Sequence, residues 1–96
     1  MYPTVWSRPP YLAPKPRACD SRRIQEVASW VRQESALDST TPVSVQEFVS
    51  MEPHRAPHWV SIEWKSATGP RSVGVPIELA KLSRSDIQNA LQKENL

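Results

Sequence analysis

His54 and His58 stand four residues apart, the spacing at which a helix sets two imidazoles on one face for zinc. Pro53 just before the pair and Pro57 between its members argue against a helix, and the single cysteine, Cys19, lies far upstream with no obvious fourth ligand. The two histidines therefore read as a loop residue and a strand-start residue, and no metal site is expected. Glu47, Glu52 and Glu63 could pair in space as acid and base, but scattered glutamates are commonplace and Glu63 belongs to the polar side of a strand pattern. There is no nucleophile elbow and no Cys-x-x-Cys. Two glycines, Gly69 and Gly74, cannot build a phosphate loop or a dinucleotide turn. The expectation is a non-enzymatic protein without a cofactor.

The residue that decides more is Trp59. In His58-Trp59-Val60-Ser61-Ile62-Glu63-Trp64-Lys65, alternation places His58, Val60, Ile62 and Trp64 on one side and Trp59, Ser61, Glu63 and Lys65 on the other. Such a period-two pattern, rich in β-branched and aromatic residues, predicts a strand with one buried face. Trp64 is then a core residue. Trp59 points the other way, and a tryptophan on a polar face is either covered or a contact residue. The candidates to cover it are the N-terminal segment, the first helix and a partner protein.

The elements that must hold these residues follow in order. Val73, Val75 and Ile77 continue the alternation after a turn cluster, so the two runs predict a hairpin with a loop of five or six residues. Pro76 lacks an amide donor, which puts the second strand at an edge or ends it there. A lone hairpin is marginal in water, so the sheet needs a third strand. Val43–Met51 fits either a strand or a short helix opened by Ser44-Val45-Gln46-Glu47, and the strand is favoured. Asp20–Glu34 predicts a helix capped by Asp20, with Ile24, Val27, Ala28 and Val31 at i, i+3, i+4, i+7. Ser83-Arg84-Ser85-Asp86 opens a second helix that turns Ile87, Ala90 and Leu91 to one face, with Leu79 and Leu82 covering the sheet on the way in. The fold class is α+β: a three-stranded antiparallel sheet in α-β-β-β-α order with helices on one face. Residues 19–96 form this domain, and residues 1–18 form an extended proline-rich N-terminal arm. Half of the ten prolines fall in the first sixteen positions, which excludes a helix and favours polyproline II.

Two resemblances attach to particular residues. Arg8-Pro9-Pro10-Tyr11-Leu12 with Pro14-Lys15-Pro16-Arg17 resembles the proline-rich antimicrobial peptides of the oncocin type, with Ala13 where those peptides commonly carry proline. That resemblance implies a contact with ribosomal RNA. The element order of residues 20–96 resembles the double-stranded RNA-binding domain, and Glu52-Pro53-His54-Arg55-Ala56-Pro57-His58-Trp59 resembles the loop leading into that family's second strand. It implies His54 as a minor-groove residue. The family's phosphate-gripping lysines have no counterpart here, because the second helix opens Ser83-Arg84-Ser85-Asp86.

Charge separates these readings. The net charge is +2, made of +4 over residues 1–23, −4 over 24–64 and +2 over 65–96. The basic end is a tail feature, and the body is no strong polyanion binder on charge alone. No apolar run approaches the ~20 residues that span a bilayer, the N-terminus lacks the layout of a secretory signal, and one cysteine fits a reducing compartment, so the cytoplasm is the expected location. The function expected is an adaptor or accessory subunit that docks a protein partner, within a larger complex, through Trp6, Arg8, Tyr11, Leu12 and Trp59. The alternative is RNA binding through Arg22, Arg23, His54 and Arg55.

Overall fold

A computed structural model describes residues 6–15 and 21–94. Four strands, two helices and a 3-10 turn run in the order β1 (Leu12–Pro14), α1 (Ser21–Glu34), β2 (Val43–Ser50), β3 (His58–Ser66), β4 (Gly69–Val75), the 3-10 turn (Leu79–Lys81) and α2 (Arg84–Glu94). The expected cap Asp20, Cys19 and the rest of the expected arm, residues 1–5 and 16–18, lie outside the described residues.

The sheet is antiparallel in the order β1-β2-β3-β4, so it has four strands and not three. The extra strand comes from the proline-rich segment, where Leu12 pairs with Ser50, Ala13 with Val49 and Pro14 with Phe48. Pro14 is tolerated because a proline at a sheet edge can turn its missing donor outward. Val43–Ser50 is a strand, as favoured. Its register sets Val43, Val45 and Glu47 opposite Trp64, Ile62 and Val60.

The β3–β4 loop is shorter than expected. Ser66 pairs with Gly69, which leaves only Ala67 and Thr68 between the strands. The turn cluster was absorbed into β4 because Pro70, opposite Lys65, points its nitrogen away from β3 and costs the ladder nothing. Gly69, at φ 121°, supplies the backbone conformation that closes the turn.

Both helices cover one face of the sheet. Val27 and Val31 of α1, with Ile87 and Leu91 of α2, enclose Val60, Ile62, Trp64, Val73 and Val75, with Leu79 and Leu82 between them. The end of α1 is fixed by a backbone motif: Leu37 N–H donates to Arg32 O at 2.8 Å and Ala36 N–H to Gln33 O at 3.4 Å. Ala36 holds the left-handed conformation, φ 52°, that usually falls to glycine at this position. Ser83 and Asp86 cap α2 reciprocally, with Asp86 N–H donating to Ser83 Oγ at 3.2 Å and Ser83 N–H to the Asp86 carboxylate at 2.9 Å. Among the described residues no helix is long and apolar enough to cross a membrane.

Candidate interaction surface

The face of the sheet away from the helices is where the N-terminal segment lies. Trp59, Ser61 and Glu63 of β3 alternate with the core residues, and register puts Phe48 beside Trp59 and Gly74 beside Ser61. The indole of Trp6 stacks on that of Trp59, ring centroids 5.8 Å apart and planes 23° from parallel. Trp6 N–H donates to Ser72 Oγ at 2.5 Å, and the same hydroxyl lies 3.3 Å from Trp6 O. Gly74 completes the seat: a Cβ there would fall inside the indole, so only glycine lets the ring lie against the strand. From Trp6 the segment crosses the sheet. Arg8 stands over the Phe48 ring at 5.2 Å, a turn bonded from Leu12 N–H to Pro9 O reverses the chain, and β1 closes on β2.

Leu12 and Phe48 are both buried but belong to no part of the core between sheet and helices. Register places both on this face of the sheet, Leu12 opposite Ser50 and Phe48 opposite Trp59. The far end of this face meets the loop after β2. Met51 N–H donates to Tyr11 O, and the Arg55 guanidinium lies over the Tyr11 ring at 4.9 Å while its Nε reaches the Glu52 carboxylate at 3.2 Å. Beside them Met51 is 71% exposed, the one large hydrophobic so exposed among the described residues.

The residues expected to bind a partner therefore divide. Trp6, Leu12 and Trp59 are engaged within the chain, while Arg8 is exposed and Tyr11 half-exposed. The residues of the nucleic-acid alternative are not brought together as a set. Arg23 turns inward, with Nε on Leu79 O at 2.9 Å, one terminal nitrogen on Leu82 O and the other on Glu26. Arg22 is exposed on the first turn of α1, whereas His54 and Arg55 are exposed in the β2–β3 loop. His58 starts β3, and its Nδ1 is buried with no hydrogen-bond partner; the indole N–H of Trp59 is likewise buried and unpaired. Among the described residues no group of three or more His, Cys, Asp or Glu is placed to hold a metal.

Several of these residues were not singled out by sequence reasoning. Gly74 had a signal, since a glycine inside a strand often marks close approach of another part of the chain. Met51 and Ser72 had none. Glu47, weighed in the sequence only as one of three scattered glutamates, is a buried carboxylate that accepts from Leu79 N–H at 3.0 Å and pairs with Lys15 Nζ at 3.1 Å. That pair ties the residue after β1 to β2 and to the 3-10 turn. Two carboxylates are held below their ordinary pKa, both away from this surface: Glu34 by Gln88 and Arg84 of α2, and Asp38 by the Thr40 backbone and hydroxyl.

No family model matches the sequence, and neither a curated protein nor a solved structure is found similar to it.

Proposed function

We propose that this chain is a small non-enzymatic protein-interaction module in which residues 1–18 act as a proline-rich arm. One observation carries the reading: Arg55 of the β2–β3 loop lies over Tyr11, beside the exposed Met51. Tyrosine, arginine and methionine are enriched where proteins meet, because they offer large contact area with a polar handle. Trp6 and Leu12 serve as anchors, and Arg8, Tyr11, Met51 and Arg55 as the contact surface. A stiff, proline-spaced segment seated in advance loses little conformational entropy when a partner arrives. The partner this surface suits is a protein with an apolar ridge rimmed by carboxylates, which would meet Met51 with its ridge and Arg8 and Arg55 with its rim.

Affinity capture with the full chain tests this, quantified for wild type, Met51→Asp and Tyr11→Ala. The expected result is a protein held by the wild type, lost by both variants, and bound again when purified and remixed. An identical set of proteins recovered by all three would sink the reading.

A further inference from the structure

The seat of Trp6 has the parts of a peptide-recognition site. Gly74 leaves a floor that admits a flat ring and that any side chain would fill, and Trp59 provides the face on which the ring stacks. Beside them Ser72, 2% exposed, holds both backbone groups of one residue: its Oγ accepts from Trp6 N–H, and its hydroxyl donates to Trp6 O. Two positions further on, Arg8 lies over the Phe48 ring. The site therefore selects an aromatic side chain, the amide and carbonyl of the same residue, and a cation two residues later. Backbone hydrogen bonds combined with pockets for alternate side chains are how sheets recognise peptide segments.

The residues now in the seat are separable from the rest of the fold. Residues 6–8 join no strand, since β1 begins at Leu12, and no residue of 6–15 belongs to the core between sheet and helices. The turn closed by Leu12 N–H on Pro9 O divides them from β1, so they can lift while β1 stays on β2. The closed arrangement also leaves a donor unmet, because the indole N–H of Trp59 is buried without an acceptor. A buried donor with no partner raises the free energy of the state that buries it. A ligand that brings an oxygen to this N–H gains what Trp6 does not supply.

We infer that this face is a peptide-binding site plugged by the chain's own Trp6, and that its ligand is an aromatic-x-Arg segment of a partner protein. Trp6 and Arg8, seated in it, are the template for that ligand. The plug makes the closed chain autoinhibited: attachment gives Trp6 an effective concentration against which a free ligand must compete. Tyr11, Met51 and Arg55 keep their places when Trp6 lifts, and the inference does not rest on the partner surface they form.

The probe is a synthetic peptide of residues 6–10 with blocked ends, titrated into the full chain and followed by the backbone amide shifts of Ser72 and Gly74. Trp6→Ala, with its seat vacated, is expected to bind the peptide, and wild type to bind it at least about ten-fold more weakly. Adding Gly74→Ala to Trp6→Ala should abolish binding, and a peptide with alanine for its tryptophan should not bind. No response of Trp6→Ala to millimolar peptide overturns the inference, as does an affinity equal in wild type or unchanged by Gly74→Ala. Wild type supplies a readout independent of how well that variant folds. Millimolar peptide should move the Trp6 indole N–H resonance toward its solvent-exposed position, and a resonance that stays in place overturns the inference. A Trp6 resonance that moves with protein concentration alone would give the seat to Trp6 of a second copy and overturn the assignment to a partner.

Discussion

Trp6 and Trp59, fifty-three positions apart in the chain, stack at 5.8 Å over a strand that has no side chain at Gly74. The stack joins the N-terminal segment to the sheet, and the glycine makes room for it. Gly74→Val should evict Trp6 and cost about 1–3 kcal/mol, the usual range for overpacking a filled site. In a Trp6→Ala background the same change should cost far less, because the space is already empty. A double-mutant cycle from urea midpoints measures the coupling. Strictly additive effects would mean that the ring does not rest on Gly74.

Trp64 is the other tryptophan of β3, on the opposite face, buried among Val60, Ile62 and the helices. Trp64→Ala should cost about 3–5 kcal/mol, most of the stability of a domain this small. The checking measurement is chemical denaturation followed by circular dichroism, where the variant should already be largely unfolded in dilute buffer.

Glu47 is 4% exposed, and Lys15 is its one charged partner among the described residues. Lys15→Met leaves the carboxylate buried with only the Leu79 N–H to satisfy it. The Lys15 side chain is 30% exposed, so solvent already screens part of its effect. The expected loss is about 1–3 kcal/mol. Thermal unfolding should show Glu47→Gln with Lys15→Met to be less destabilised than Lys15→Met alone, because the pair of changes removes the uncompensated charge.

Ala36 carries a left-handed backbone that glycine adopts without strain. Ala36→Gly should raise stability by up to about 1 kcal/mol, the relieved strain being partly offset by greater freedom of the unfolded chain. A fall in melting temperature would show that the Ala36 methyl makes contacts worth more than the strain.

Glu34 accepts from Gln88 and Arg84, which lowers its pKa in the folded state and ties α1 to α2. A folded pKa below the unfolded one means the contribution is complete above the unfolded value and is lost as pH falls through the folded value. The link should therefore hold at neutral pH and fade only in the acid range, beginning at the ordinary glutamate pKa. Stability measured against pH should fall less steeply for Glu34→Gln across that window. A carbon-detected titration of the Glu34 carboxyl should place its midpoint below that of an unperturbed glutamate.

The sequence by itself determined the parts whose cause is local. The alternation in His58–Lys65 and Val73–Val75 specified which faces of two strands are buried, because side chains in a strand alternate whatever they pack against. The spacing of Ile24, Val27, Ala28 and Val31 did the same for α1, and Ser83 with Asp86 marked the start of α2. What only the tertiary structure decided was pairing between distant segments. Proline content in the N-terminal segment announces extended backbone, but extended backbone is equally at home in solvent, on a partner or at a sheet edge. Its place at β2, the fourth strand and the cover over Trp59 arise from contacts between residues 6–15 and residues beyond 46. The hairpin loop shrank for a related reason: whether Pro70 breaks a strand or sits harmlessly in one depends on which side of it the neighbouring strand lies. Glycine at position 74 and glutamate at 47 are legible only after Trp6 and Lys15 have been placed against them, because neither residue type reveals what approaches it.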